Sequence, residues 1–249
     1  MVPDTPALYH HSGHLGDIIY GLPGLQKIGP VDLEISPITW QVNGVIHKPI
    51  LQEDFEAIAP LLRSQTYIRS VRYVGKMSPS ALNLDGWRTL YMGNIAKSHL
   101  RMLKDSTSDF LKRPWIKVEP VSVAPMIVSR SPRWHEAGGT EIWRHVIDMG
   151  GSHAVFVGLQ KDWEQFVAEV GQIRFHPTRS LLEAAQTIAG SEVFIGNQSA
   201  CLAIAQGLHH PRIAYERSKV YDNCDIAEIP TVKFDETSRM EQFIAAIKC

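Results

Sequence analysis

A glycine-containing turn near the start of the chain carries the first residues that could do chemistry. Gly13, His14, Gly16 and Asp17 follow a short apolar and aromatic run that ends at His11. The glycines would let the backbone approach a ligand closely, and the start of a helix presents unpaired N–H groups to an anion. Asp17 could equally be a helix N-cap and nothing more, because its carboxylate can accept hydrogen bonds from those N–H groups. The spacing alone leaves both interpretations open.

A second polar turn lies late in the chain. Asn197, Gln198, Ser199 and Ala200 follow the apolar segment 193–196 and precede a predicted helix. This order would direct unpaired backbone N–H groups toward an anion such as a diphosphate. The same residues could instead form a plain turn in which Ser199 caps the helix.

Two arginines form the third candidate. Arg130 and Arg133 follow the predicted strand 126–129, and guanidinium groups bind phosphate oxygens through paired hydrogen bonds. Most arginines in loops are simply exposed to solvent, so a phosphate-binding role for these two depends on where their loop lies. The strands before Arg130 and before Asn197 should belong to one parallel sheet, and both loops should therefore lie at its carboxyl edge.

The elements that must position these residues alternate between strand and helix. Alternation of this kind predicts parallel strands with crossover helices, hence an α/β protein with two Rossmann-like domains. A proline-rich stretch around residues 110–124 predicts a boundary near residue 120, with domains 1–120 and 121–249. The predicted strands are residues 7–11, 32–36, 68–74, 126–129, 154–158, 172–175, 193–196 and 212–215, and the predicted helices are residues 18–28, 54–62, 94–103, 141–149, 163–170, 180–189 and 200–208.

Composition excludes several classes of protein. Hydrophobic residues make up 44% of the 249 residues, which is enough for a core, and the net charge of −1 argues against a strongly basic nucleic-acid binder. Three widely spaced cysteines and the absence of a signal or membrane-spanning segment predict a cytoplasmic protein without integral membrane association. The histidines near the start have no companion ligand cluster, so no metal site is predicted. No phosphate-binding loop, nucleophile elbow or Asp-x-Asp motif occurs.

Two segments together resemble glycosyltransferase family 9, the heptosyltransferase-like enzymes. The first is His-Leu-Gly-Asp-Ile-Ile-Tyr-Gly-Leu-Pro at residues 14–23, and the second is the segment 182–205, which contains Gly-Asn-Gln-Ser-Ala at residues 196–200. The family has the GT-B architecture, in which two Rossmann-like domains face a cleft. The resemblance therefore implies a transferase that moves a sugar from a nucleotide-diphosphate sugar to an acceptor hydroxyl, without a metal or other cofactor and with inversion.

The resemblance also implies roles for particular residues. Asp17 matches the family's catalytic base, and Gly13, His14 and Gly16 would lie beside it on the acceptor side. Arg130 or Arg133 occupies the stretch where the family often has a lysine that meets the donor phosphates. The donor loop, which wraps the diphosphate in the family, corresponds to Asn197, Gln198, Ser199 and Ala200.

The chain departs from the family pattern at three positions of the second segment. Gln198 replaces the usual aspartate, Ala200 a glycine, and Ala203 a frequent histidine. Two alternatives therefore stand beside the transferase: a non-catalytic nucleotide-sugar-binding module, and an epimerase or hydrolase of the same architecture. The acceptor stays open between a glycan, a metabolite and a modified nucleic acid.

Overall fold

The structure is a computed structural model that describes residues 8–38, 40–42, 45–47, 49–105, 107–132, 139–217, 222–234 and 243. The chain divides into two compact units. The first comprises Met1–Lys117 with Ser180–Leu182, and the second comprises Val118–Arg179 with Glu183–Cys249.

The first unit is built on a parallel sheet of four strands in the order β5-β2-β1-β6. This unit also contains a separate antiparallel hairpin, β3-β4, and three α-helices. Two 3₁₀ helices, at Leu84–Leu90 and Asp109–Lys112, complete its described elements. In chain order these elements are β1 (Leu8–His11), α1 (Leu15–Ile28), β2 (Val31–Ile35), β3 (Trp40–Val42), β4 (Val45–His47), α2 (Gln52–Arg63), β5 (Ile68–Tyr73), β6 (Leu82–Asn83) and α3 (Ile95–Met102).

Helix α1 and helix α3 pack closely because small residues of α1 face α3. A Cβ atom added to Gly21 would lie 3.2 Å from Cδ2 of His99, and one added to Gly24 would collide with the side chain of Leu103. The eight consecutive residues 18–25 of α1 are all buried. This close packing brings His99 of α3 under the carboxyl end of β1.

The second unit contains a parallel sheet of six strands in the order β12-β11-β10-β7-β8-β9. Its aromatic core includes Trp143, Phe156 and Phe166, with the ring centroids of Trp143 and Phe166 5.6 Å apart. The strands and α-helices are β7 (Met126–Ser129), α4 (Gly139–Gly150), β8 (Ala154–Phe156), α5 (Gln160–Glu169), β9 (Arg174–Phe175), α6 (Leu181–Ala189), β10 (Val193–Asn197), α7 (Ala200–Gly207), β11 (Ile213–Glu216) and β12 (Thr231–Phe234), and a 3₁₀ helix lies at Gly151–His153. The first two residues of α6 belong to the first unit.

The α/β class with two parallel sheets is confirmed. Helix α1 nevertheless begins at Leu15 rather than at residue 18, and it continues through Pro23. Strands β3, β4, β6 and β12 are additional to the predicted set. Over the described residues, no helix combines the length and the apolar character that crossing a membrane would require.

Candidate functional site

Asp17 lies in the first turn of α1, directly after the turn that follows β1. The N-cap position belongs to His14, whose backbone is extended, and Asp17 is the third residue of the helix. The interpretation of Asp17 as the N-cap is therefore wrong. Its side chain is 16% exposed, and its Oδ2 accepts a hydrogen bond from Nη2 of Arg88 at 3.0 Å.

Arg88 links two carboxylates of the first unit. While Nη2 bonds Asp17, Nη1 donates to Oδ1 of Asp85 at 3.0 Å. The guanidinium carbon lies 4.6 Å from the ring centroid of Trp87, at cation–π distance. Only 15% of the Arg88 side chain is exposed. The guanidinium group that binds Asp17 is thus also held by Asp85 and by the Trp87 ring.

Asp85 anchors this arrangement to the end of β1. Its side chain is fully buried and accepts hydrogen bonds from the backbone N–H of Ser12, at 3.1 and 3.2 Å, and from the Ser12 hydroxyl at 2.8 Å. Asn83 at the end of β6 accepts a hydrogen bond from the backbone N–H of Asp85 at 2.9 Å. Because β6 and β1 are adjacent parallel strands, their carboxyl ends place Asp85 beside Ser12.

Gly13 leaves the space into which the arginine fits. A Cβ atom at this position would lie 2.8 Å from Nη2 of Arg88, 2.7 Å from Cε1 of His11 and 2.9 Å from Cβ of Asp17. Real Cβ atoms do not come this close to other heavy atoms, so the absence of a side chain is a steric requirement here. His14, the N-cap residue, and Gly16, in the first turn of α1, are both partly buried.

Two buried histidines form a hydrogen-bonded chain beneath the turn. The N–H of Gly13 points at Nδ1 of His11 (2.9 Å), Nε2 of His11 lies 3.0 Å from Nε2 of His99, and Nδ1 of His99 lies 3.0 Å from the carbonyl oxygen of Ile95. Since Ile95 can only accept there and Gly13 can only donate, two neutral tautomers satisfy every link. Burial lowers the pKa of both histidines well below the usual value, and the nearby Arg88 charge acts in the same direction.

The second cluster lies at the carboxyl edge of the six-stranded sheet. The Nδ2 of Asn197 donates to the carbonyl oxygen of Ser131 at 2.7 Å, and its Oδ1 accepts from the N–H of Ser131 at 2.9 Å. Strands β7 and β10 pair directly, with Ser129 opposite Gly196. The structure thus brings these two loops together, as the sheet-edge argument predicts, and the fully buried Asn197 ties one to the other.

The remaining residues of the predicted donor loop begin helix α7. Ser199 is the N-cap residue, and its buried Oγ has no hydrogen-bond partner in the part of the chain that the structure describes. Ala200 is the first helical residue, and Nε2 of Gln198 lies 3.4 Å from Oδ1 of Asp222. The expected role of Ser199 as a side-chain cap is not realised, because its hydroxyl makes no hydrogen bond to the N–H groups of the helix.

Arg130 is buried and engaged within the second unit. Its Nη1 donates to Oε2 of Glu169 at 3.0 Å, and its Nε lies 3.5 Å from Oε2 of Glu216. Trp143 donates from Nε1 to the same Glu216 oxygen at 2.8 Å, and its ring lies 5.5 Å from the guanidinium carbon. In this arrangement the charge of Arg130 is balanced by two glutamates. Arg133 lies outside the described residues.

Asp85, Arg88, His11 and His99 are the residues of the first cluster that sequence reasoning missed. Asp85 could have been predicted only from strand β6, which places it at the sheet edge. This strand has two residues and is too short to show alternation of polar and apolar residues. Had that strand been recognised, Asp85 and Arg88 would have been expected at the edge that carries Asp17. Among the described residues, no group of three or more histidine, cysteine, aspartate or glutamate side chains is placed to hold a metal ion.

Comparisons with known proteins identify the fold. No family model and no curated protein matches the chain by sequence. A glycosyl transferase family 9 structure from Veillonella parvula matches with a TM-score of 0.64 and 11% identity, over 100% of this chain and 91% of that one. The Escherichia coli heptosyltransferase WaaC, solved with ADP-2-deoxy-2-fluoro heptose, matches with a TM-score of 0.62 and 13% identity, over 98% of this chain and 100% of that one.

A third similar structure is the dodecameric iron-containing heptosyltransferase TibC, solved in complex with an ADP-heptose. It matches with a TM-score of 0.53 and 14% identity, over 94% of this chain and 67% of that one. At these identities the likeness concerns the fold. The resemblance to glycosyltransferase family 9 that the sequence indicates is confirmed at that level.

Proposed function

We propose that this protein is a glycosyltransferase that moves a sugar from a nucleotide-diphosphate sugar to an acceptor hydroxyl, without a metal and with inversion. The observation that carries the proposal is the Asp17 carboxylate, held by Arg88 at the carboxyl edge of the first sheet, in a fold shared with solved heptosyltransferases over nearly the whole chain. The GT-B arrangement expected from the sequence, and a cytoplasmic location, are parts of the same proposal.

In the proposed reaction Asp17 acts as the general base. Its carboxylate takes the proton of the acceptor hydroxyl while the acceptor oxygen forms a bond to the anomeric carbon of the donor. The bond between that carbon and the diphosphate oxygen breaks, and the nucleoside diphosphate leaves with the electron pair. A single displacement of this kind inverts the anomeric configuration. Gly13 and His14 precede α1, Gly16 lies in its first turn, and all three are proposed to face the acceptor.

The donor is proposed to bind at the start of α7. The Ser199 hydroxyl, which has no hydrogen-bond partner among the described residues, and the first N–H groups of the helix suit a diphosphate. Asn197 would shape this loop rather than contact the donor, because both ends of its amide bind Ser131. Since WaaC and TibC were solved with ADP-linked heptoses, an ADP-sugar is the first donor to test.

Arg130 and Arg133 are proposed to bind the phosphates of the donor, but Arg130 must first change its partners. Its guanidinium pairs with Glu169 and Glu216, so contact with a diphosphate would require that it exchange a carboxylate for a phosphate oxygen. Gln198 and Ala200, which differ from the family pattern, flank Ser199 in the loop that would bind the diphosphate.

The test combines donor binding with turnover in Asp17→Asn. Thermal shifts are measured with ADP-, GDP-, UDP-, CDP- and dTDP-sugars, because a ligand that binds only the folded state raises the melting temperature. With the donor so identified, Asp17→Asn should keep the shift and lower kcat by about 10²- to 10⁴-fold, the usual contribution of a general base. Asp32→Asn is the matched control, since Asp32 bonds Arg69 on the same sheet.

Each other outcome selects a different conclusion. An unchanged rate in Asp17→Asn would remove Asp17 from the mechanism. Selective binding without transfer to a broad panel of acceptors would favour a non-catalytic binding module, and donor consumption without any acceptor would favour an epimerase or a hydrolase. No shift with any nucleotide sugar at millimolar concentration would contradict the proposed donor site at residues 197–200.

A further inference from the structure

The contacts around Arg88 fix its position before any ligand is present. Asp85 binds Nη1, the Trp87 ring covers one side of the guanidinium, and Gly13 leaves room for Nη2. Asp85 is itself fixed by three hydrogen bonds from Ser12, at the end of a sheet strand. The guanidinium is therefore held by groups that do not depend on Asp17.

Asp17, in contrast, stands at the start of a helix and reaches toward this fixed group. Its described ion pair is the 3.0 Å contact between Oδ2 and Nη2 of Arg88. A carboxylate with one oxygen bound to a fixed cation has a fixed orientation, and the nearby positive charge favours its ionised form. A general base must be unprotonated and correctly oriented before it accepts a proton, and these two properties meet that requirement.

We propose that Arg88 is a positioning residue, which orients the carboxylate of Asp17 and keeps it ionised, with Asp85 and Trp87 as the supports of Arg88. This inference rests on the proposed function for its catalytic consequence, although the contact itself can be tested without turnover. Arg88 is not proposed to touch the donor or the acceptor.

The first experiment follows the Asp17 carboxyl directly by carbon NMR, with its signal assigned through Asp17→Asn. In Arg88→Met, which removes the charge, the pH midpoint of this signal should move upward relative to the wild type. In Arg88→Lys, which keeps a charge but cannot bridge Asp85 and Asp17 in the same way, the upward movement should be smaller. Arg69→Met removes an arginine from an exposed pair with Asp32 and should leave the midpoint unchanged.

The second experiment measures transfer. Arg88→Met should lower kcat by about 100-fold, the loss typical of a misplaced catalytic group, with little change in the donor KM. The acidic limb of its pH–rate profile should move to higher pH. Arg88→Lys should recover part of kcat, and guanidinium ions at millimolar concentration should restore part of the activity of Arg88→Ala. A purely structural role would produce neither the recovery nor the displaced limb.

The two proposals fail in different ways. If the wild type transfers sugar but the Asp17 midpoint is the same in the wild type, Arg88→Met and Arg88→Lys, the role of Arg88 is refuted while the function stands. If no sugar is transferred but the midpoint moves as expected, the proposed function fails and the positioning contact stands. If Arg88→Met does not fold, Arg88→Lys decides the question. The inference would be overturned if the Asp17 midpoint in Arg88→Lys equalled that of the wild type and the loss of kcat were explained by the unfolded fraction alone.

Discussion

At the scale of single residues, the geometry of the first cluster depends on a side chain that is absent. Gly13 is surrounded by His11, Arg88 and Asp17, all within 3 Å of the place where a Cβ atom would stand. The glycine therefore does more than allow a turn, because it sets how closely the arginine can approach the aspartate. Its N–H also donates to His11, so the same residue joins the ion pair to the buried histidines.

Replacing Gly13 by alanine should disturb this cluster measurably. The added methyl would overlap Arg88 or His11, and overpacking of this kind costs about 1–3 kcal/mol of unfolding free energy. Urea unfolding of Gly13→Ala checks the value. Gly75→Ala is the control, since among the described residues no heavy atom beyond its two chain neighbours lies within 4 Å of its Cβ position. Equal stability of the two variants would contradict the steric argument.

At the scale of elements, both clusters form where adjacent parallel strands end. The ends of β1 and β6 bring Ser12 and Asp85 together, and the ends of β7 and β10 bring Ser131 and Asn197 together. In each case a polar side chain, Asp85 or Asn197, forms hydrogen bonds with backbone groups of the neighbouring loop. The sheet supplies the proximity, and these hydrogen bonds give each loop one conformation.

The amide of Asn197 offers a test of this principle. In Asn197→Asp one oxygen can still accept from the N–H of Ser131, but the second oxygen faces a carbonyl and leaves it without its donor. A buried acceptor left in this way costs about 1–3 kcal/mol, and the buried negative charge of the new carboxylate adds to this cost, so urea unfolding should show a loss of at least that size. Gln172→Glu makes the same chemical change at an exposed residue and should be nearly neutral; a matching loss there would refute the interpretation.

At the scale of the whole molecule, stability should depend on pH through buried neutral histidines. Burial lowers the pKa of His11 and His99 in the first unit and of His210 in the second. Each group binds a proton more readily in the unfolded chain, whose histidine pKa is about 6.5. Above that pH their contribution is complete, and it is lost as the pH falls toward the lower folded-state values.

The unfolding free energy should therefore fall as the pH is lowered from about 6.5 to 5, by up to about 1.4 kcal/mol per pH unit for each such group. The charged groups near the pair are Arg88 and Asp85, whose Oδ1 lies 3.4 Å from Nδ1 of His11. Urea unfolding at several pH values should show a shallower decline in His99→Gln than in the wild type. His153→Gln changes an exposed histidine as the control, and an undiminished slope in His99→Gln would contradict the assignment.

Much of the fold could be predicted from the sequence because its signals are local. The buried strands β7, β8 and β10 are short apolar runs, and the helices between them show helical spacing of apolar residues. Strands of two or three residues such as β6 could not be found this way, since they are too short for a pattern. Their existence depends on hydrogen bonds to a neighbouring strand, which no local window contains.

The sequence by itself determined the α/β class, the polar strand-to-helix connections before α1 and before α7, and the position of Asp17 near a helix start. Only the tertiary structure decided that Asp17 meets Arg88, 71 residues further along the chain, and that His11 meets His99, 88 residues further along. It also decided that Arg130 is buried against two glutamates. Periodicity specifies the elements, but contacts between distant side chains arise only when strand order and helix packing bring those elements together.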